Sequence, residues 1–106
     1  MLALGSVDRG MNISQTYLEE ELELGKEIAR TCYEIYKRQP TGIGCEIINF
    51  ENQTNDFSPQ APFYILRPEA VETLFVLYRI TRDPIYKEWG WKIFESLETH
   101  CKVCND

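Results

Sequence analysis

Arg67-Pro68-Glu69-Ala70-Val71-Glu72, followed by an apolar run to Arg82 and then by Asp83-Pro84, sets the fold of this chain. Proline suits the first helical position, where its missing N–H costs nothing, so Glu69 and Glu72 fall in the first turns, three residues apart on one face. There the helix dipole favours ionised carboxylates. A glutamate held ionised beside a neighbour is equipped to act as a general base or to gather a hard cation's water shell, with Arg67 orienting one of the two. Acidic residues are also ordinary in the first turn of any helix, which is the plain structural alternative.

Working outward, the helix expected over 68–82 is apolar at Ala70, Val71, Leu74, Phe75, Val76, Leu77, Tyr78 and Ile80, most of its circumference. Such a helix belongs inside a layered helical body, because it is too short to span a bilayer. Asp83 then serves as an N-cap with Pro84 at the first position, and Tyr86, Trp89, Gly90, Ile93, Phe94 and Leu97 follow at helical spacing. The two helices make an antiparallel hairpin. Gly90 costs about 1 kcal/mol relative to alanine in a helix interior, so it is expected to permit close approach by another helix. Trp91 falls off the apolar face and is expected to be exposed.

Upstream, Thr16 to Arg38 reads as a long helix, with Thr16 and Glu19 spaced as a capping box and apolar or small residues at Leu18, Leu22, Gly25, Ala29, Cys32 and Tyr36. At this span it would be on the order of 30 Å long, more than one small partner can cover. It stops at Gln39-Pro40-Thr41-Gly42. Between 42 and 62 lies a loop-rich stretch in which Glu46 to Phe50 is expected as a short strand and Asn52 to Pro59 as polar turn material. Within it Glu46, between Gly44-Cys45 and an apolar run, is a further candidate, with a solvated loop acid as its plain reading.

The 106 residues, 43% hydrophobic and 12% aromatic, suffice for one small domain and argue against disorder. A formal charge of −6 excludes the basic surface that nucleic acid requires. Met1-Leu2-Ala3-Leu4-Gly5 is too short for a signal-peptide core, and no run approaches membrane-spanning length. Asn12-Ile13-Ser14 and Asn52-Gln53-Thr54 are glycosylation sequons. The four cysteines, Cys32, Cys45, Cys101 and Cys104, allow three disulfide pairings, among which the sequence does not choose. Cys101-Lys102-Val103-Cys104 beside His100 lacks the second ligand pair of a zinc site and the context of a redox motif.

Four blocks in order, Met1 to Gly5, Leu22 to Cys32 (LELGKEIARTC), Phe63 to Glu72 (FYILRPEAVE) and Asp83 to Val103 (DPIYKEWGWKIFESLETHCKV), resemble glycoside hydrolase family 47, the class I α-1,2-mannosidases, and most of all the Golgi-type processing members. The resemblance implies an all-α fold, here a partial arc of an (α/α)7 barrel built of helical hairpins, with 1–103 as a fragment of the catalytic barrel and 104–106 as a divergent end. It implies inverting, calcium-dependent hydrolysis of terminal α-1,2-linked mannose on high-mannose N-glycans. By match to the family motif Glu69 is the catalytic base, while Arg67, Glu72 and Glu46 bind substrate. Glu46 follows Cys45 where the family usually has proline.

Glu69 and Glu72 would reach calcium only through its waters, since the family's direct ligand, a threonine, has no counterpart here. Inversion needs a second carboxyl about 6.5–9.5 Å across the scissile bond, which two glutamates three apart on one helix do not provide, so the acid is expected outside this sequence. Cys32 matches a cysteine whose disulfide partner also lies outside this chain. The resemblance further implies a Golgi or endoplasmic reticulum lumenal parent, anchored to the membrane only through an N-terminal segment not present here, and a fragment inactive alone. The alternatives are a non-catalytic helical scaffold, which the lack of a fixed repeat period disfavours, and a mannose-binding fragment.

Overall fold

The computed structural model describes residues 15–54 and 56–103. The block from Met1 to Gly5, the Asn12 sequon, Cys104 and the end at 104–106 lie outside the described residues. In chain order the elements are α1 (Gln15–Lys37), β1 (Ile47–Glu51), β2 (Asp56–Ala61), α2 (Glu69–Thr81) and α3 (Pro84–His100).

The α2/α3 hairpin forms as its sequence dictates. Asp83 accepts a hydrogen bond from the Ile85 amide at 3.0 Å, with Pro84 opening the helix. Arg82 closes α2 in the left-handed region, φ 60°, where its N–H reaches the Tyr78 carbonyl at 2.9 Å. One left-handed residue ends the helix and satisfies a carbonyl that would otherwise be orphaned. Pro68 stands one place earlier than expected, as the cap residue itself, and its carbonyl accepts from the amides of Val71 and Glu72.

The core lies where the three helices meet. Ala29, Tyr33 and Tyr36 of α1 pack with Leu74 and Leu77 of α2 and with Tyr86 and Ile93 of α3. Tyr33 stacks on Trp89 with ring centroids 4.6 Å apart, and Tyr86 meets the same indole edge-on at 5.6 Å. Both geometries suit the aromatic quadrupole. Gly42, at φ 72°, turns the chain after α1 in a conformation that favours glycine, and a Cβ there would also force Ser96 Oγ, 2.5 Å away, to turn aside.

Three expectations are corrected. Thr16 does not cap α1, which already includes Gln15; instead Gln15 Nε2 donates to Glu19 Oε1 at 3.1 Å. The chain is mostly helical as expected, but the stretch expected as turn material holds a strand: Asp56–Ala61 runs antiparallel to β1, pairing Glu51 with Asp56 and Ile47 with Ala61, with a register shift between Ile47 and Ile48. Pro59 is tolerated because every strand of a two-stranded ribbon is an edge. Finally, a Cβ added to Gly90 meets nothing within 4 Å. No helix of the described residues approaches it, and it borders an open depression with Pro84, Trp91 and Phe94.

Trp91 is 59% exposed, as its position off the stripe implies. The burial expected all round α2 is only partly realised: Leu74 and Leu77 are buried, whereas Phe75 is 59% exposed. Overall extents of 51 × 43 × 20 Å leave room for only about two helix layers. The radius of gyration, 15.7 Å, exceeds the roughly 13 Å of a compact chain of this length. In this chain Gly90→Ala is therefore expected to raise the urea midpoint, adding about 0.5–1 kcal/mol, since the methyl group meets no neighbour and the unfolded backbone loses freedom.

Candidate active site

Glu46 and Arg67 come together across 21 residues of sequence. Arg67 Nε donates to Glu46 Oε1 at 2.8 Å and Nη2 approaches the same oxygen at 2.5 Å. The two ends of the pair differ in setting. The glutamate side chain is 12% exposed and the arginine 63%, so the carboxylate is held from the protein side and the guanidinium reaches it from the solvent side. The second oxygen, Oε2, is buried with no hydrogen-bond partner among the described residues. A buried acceptor left open is costly, which marks the side of Glu46 where a further donor belongs.

Backbone geometry fixes this pair from both flanks. The Glu46 amide is shared between the carbonyls of Ala61 and Phe63, at 3.0 and 2.9 Å, so the base of the hairpin holds the residue. Tyr36 donates its hydroxyl to the Arg67 carbonyl at 3.2 Å, tying α1 to the chain just before α2. Burial holds that phenol well above its ordinary range, so it stays a donor. Gly44 lies against the Tyr36 ring, where a Cβ would stand 2.8 Å from a ring carbon. Leu66 carries φ 42°, a left-handed conformation unusual for leucine, and turns the chain into Arg67.

Arg67 is the joint between this pair and the helix start. Its guanidinium is held above its usual range, first by the hydrogen bond to Glu46, then by that carboxylate's charge, and further by Glu69. Glu69 and Glu72 open α2 as expected, both exposed. Among the described residues neither carboxylate has a hydrogen bond or ion pair, so Arg67 orients Glu46 rather than one of these two as expected; the cavity of about 460 Å³ beside this segment is lined instead by Cys45, Phe63, Tyr64 and Cys101 among others. Spacing alone places Arg67, Glu69 and Glu72 together; it says nothing of Tyr36, which holds the Arg67 backbone, or of Gly44, which makes room for the Tyr36 ring. The only sequence sign of Tyr36's role is a hydroxyl on an apolar stripe ahead of the Pro40 break.

Among the described residues no group of three or more His, Cys, Asp or Glu side chains converges to hold a metal ion. The oxygen chemistry of Glu69 and Glu72 suits a hard cation's outer water shell, but these residues do not by themselves make a direct calcium site. Cys32 is a free, half-buried thiol whose titration is pushed up by burial.

Arg67 and two glutamates thus stand at the mouth of the helical hairpin, with a third glutamate, Glu46, brought to the arginine from the base of the strand pair. The family model for glycosyl hydrolase family 47 matches residues 1–106, and the chain belongs to that family. It is 42% identical over 105 residues to mannosyl-oligosaccharide 1,2-alpha-mannosidase IA of Sus scrofa, covering 97% of this chain and 15% of that protein. It is 48% identical over 92 residues to the endoplasmic reticulum mannosyl-oligosaccharide 1,2-alpha-mannosidase of Schizosaccharomyces pombe, covering 83% of this chain and 18% of that protein. With mannosyl-oligosaccharide 1,2-alpha-mannosidase IB of Homo sapiens identity is 43% over 84 residues, 77% of this chain and 13% of the relative. The chain thus spans less than a fifth of the length of these relatives.

Proposed function

We propose that this chain supplies one wall of the active site of an inverting α-1,2-mannosidase that trims high-mannose N-glycans in the lumen of the Golgi or endoplasmic reticulum. The observation that carries the reading is the Glu46–Arg67 pair at the start of the helix bearing Glu69 and Glu72. Glu69 is the general base: it takes a proton from the water that attacks the anomeric carbon. Arg67 fixes the Glu46 carboxylate, and Glu46 and Glu72 accept hydrogen bonds from sugar hydroxyls. The general acid comes from another part of the parent protein, since two glutamates on one helix face stand on one side of any bound sugar.

Calcium, where the parent holds it, supplies charge near the sugar hydroxyls. Its direct ligand set lies elsewhere in the parent, within a complete (α/α)7 barrel of which α2 and α3 are neighbouring staves. The exposed apolar side chains Phe75, Trp91 and Phe94 and the thin shape of the chain support that architecture. Cys32 pairs with a cysteine of the parent outside this chain.

The test is to follow hydrolysis of an α-1,2-linked mannose disaccharide by the full-length parent with proton NMR. Release of β-mannose as the first-formed anomer is expected. First-formed α-mannose, or no hydrolysis by the folded, calcium-loaded parent, would overturn the reading. In the same assay Arg67→Lys is expected to lower kcat/KM by about tenfold, the worth of one charge-assisted hydrogen bond, while leaving the melting temperature nearly unchanged because the arginine is largely exposed.

A further inference from the structure

The site leaves one motif unused, and the fold gives it a definite setting. Asn52-Gln53-Thr54 opens the turn after β1, beyond the last strand pair of Glu51 with Asp56. All three residues are exposed, and among the described residues the Asn52 carboxamide makes no hydrogen bond. The Thr54 amide bonds the Glu51 carbonyl and its hydroxyl donates to Glu51 Oε2, both at 3.3 Å, so the turn is closed by its own residues.

Below the turn the ribbon is anchored to the body. Arg38 Nη1 meets Asp56 Oδ1 at 2.5 Å, its guanidinium lies 4.6 Å from the centroid of the Phe57 ring, and Phe57 meets Phe50 edge-on at 6.4 Å. These contacts tie the ribbon to the chain just after α1 and leave 52–54 exposed. A bulky group on Asn52 therefore displaces no side chain of the core and breaks no hydrogen bond among the described residues.

We infer that Asn52 is an acceptor for an N-linked oligosaccharide, which rests on the lumenal address proposed above. The residue between asparagine and threonine is Gln53, so the proline that blocks the motif is absent. In the transfer the Asn52 carboxamide nitrogen forms a bond to C1 of the first sugar of a polyprenyl-diphosphate-linked oligosaccharide. The C1–O bond to the diphosphate breaks, the diphosphate leaves with that electron pair, and the amide gives one proton to a base of the transferase. Nothing is oxidised or reduced. The added group is large, solvated and confined to a surface turn.

The experiment translates the 106-residue chain behind a cleavable signal peptide in the presence of microsomes. Asn12→Gln removes the other sequon. Lumenal entry is scored by signal cleavage and protection from added protease, independently of modification. A mobility shift of one glycan is expected, reversed by peptide:N-glycosidase, with heavy-oxygen label left at position 52 when release is done in labelled water. Asn52→Gln and Thr54→Ala should abolish the shift, and Thr54→Ser should retain it. A cleaved, protected chain with unmodified Asn52 would overturn the inference. If Asn52 is modified in microsomes while the full-length parent is recovered from its own cells outside the lumenal compartments, the proposed address falls and the acceptor assignment stands.

Discussion

Replacing Glu69 by Gln in the full-length parent is expected to reduce kcat by about 10²–10⁴-fold, the usual contribution of a positioned general base. The amide keeps the size of the side chain and can still bond a water molecule, but it does not accept the water's proton as attack proceeds. Because Glu69 is exposed at the first turn of α2, with no ion pair among the described residues, the substitution removes no packing. Melting temperature should move little. KM should change far less than kcat, which separates loss of a base from loss of a binding contact. A folded Glu69→Gln parent with wild-type kcat would remove Glu69 from the mechanism and leave it an ordinary acid of a helix start.

Leu77→Ala should carry the largest stability cost, about 2–5 kcal/mol read as a lower urea midpoint. Leu77 is 0% exposed and sits among residues of all three helices. Truncation leaves a cavity that α1 and α3 cannot both collapse into, since the stacked Tyr33–Trp89 pair already fixes their separation. The same change at Phe75, two residues away and 59% exposed, should cost far less in this chain. Equal losses at the two positions would contradict the packing described.

The α2/α3 hairpin was legible because its signals are local: Pro68, the Asp83-Pro84 cap and a 3.6-residue period act within a few residues. Residues whose setting depends on distant chain were not. Pro59 and the polar neighbours of β2 hide a strand whose pairing is supplied by β1, and Gly90 gives no sign in sequence of whether a neighbour stands opposite it. The site divides in the same way. Helical spacing joins Glu69 to Glu72, whereas the Glu46–Arg67 pair was foreseen by neither spacing nor resemblance, since nothing in the intervening residues encodes how the hairpin folds back. Cys45 precedes Glu46, and the carboxylate meets the arginine there. The amide of Glu46 and the carbonyls of Ala61 and Phe63 provide the restraint there.

The left-handed Arg82, with Asp83, makes the whole link between α2 and α3 two residues long. So short a closure costs little chain entropy, and contacts between these helices have low sequence separation. Among the three helices described, α2 and α3 should therefore be the first pair to assemble. It would then offer α1 a preformed face, so that a single backbone conformation at one arginine prepares the seat for the longest helix described.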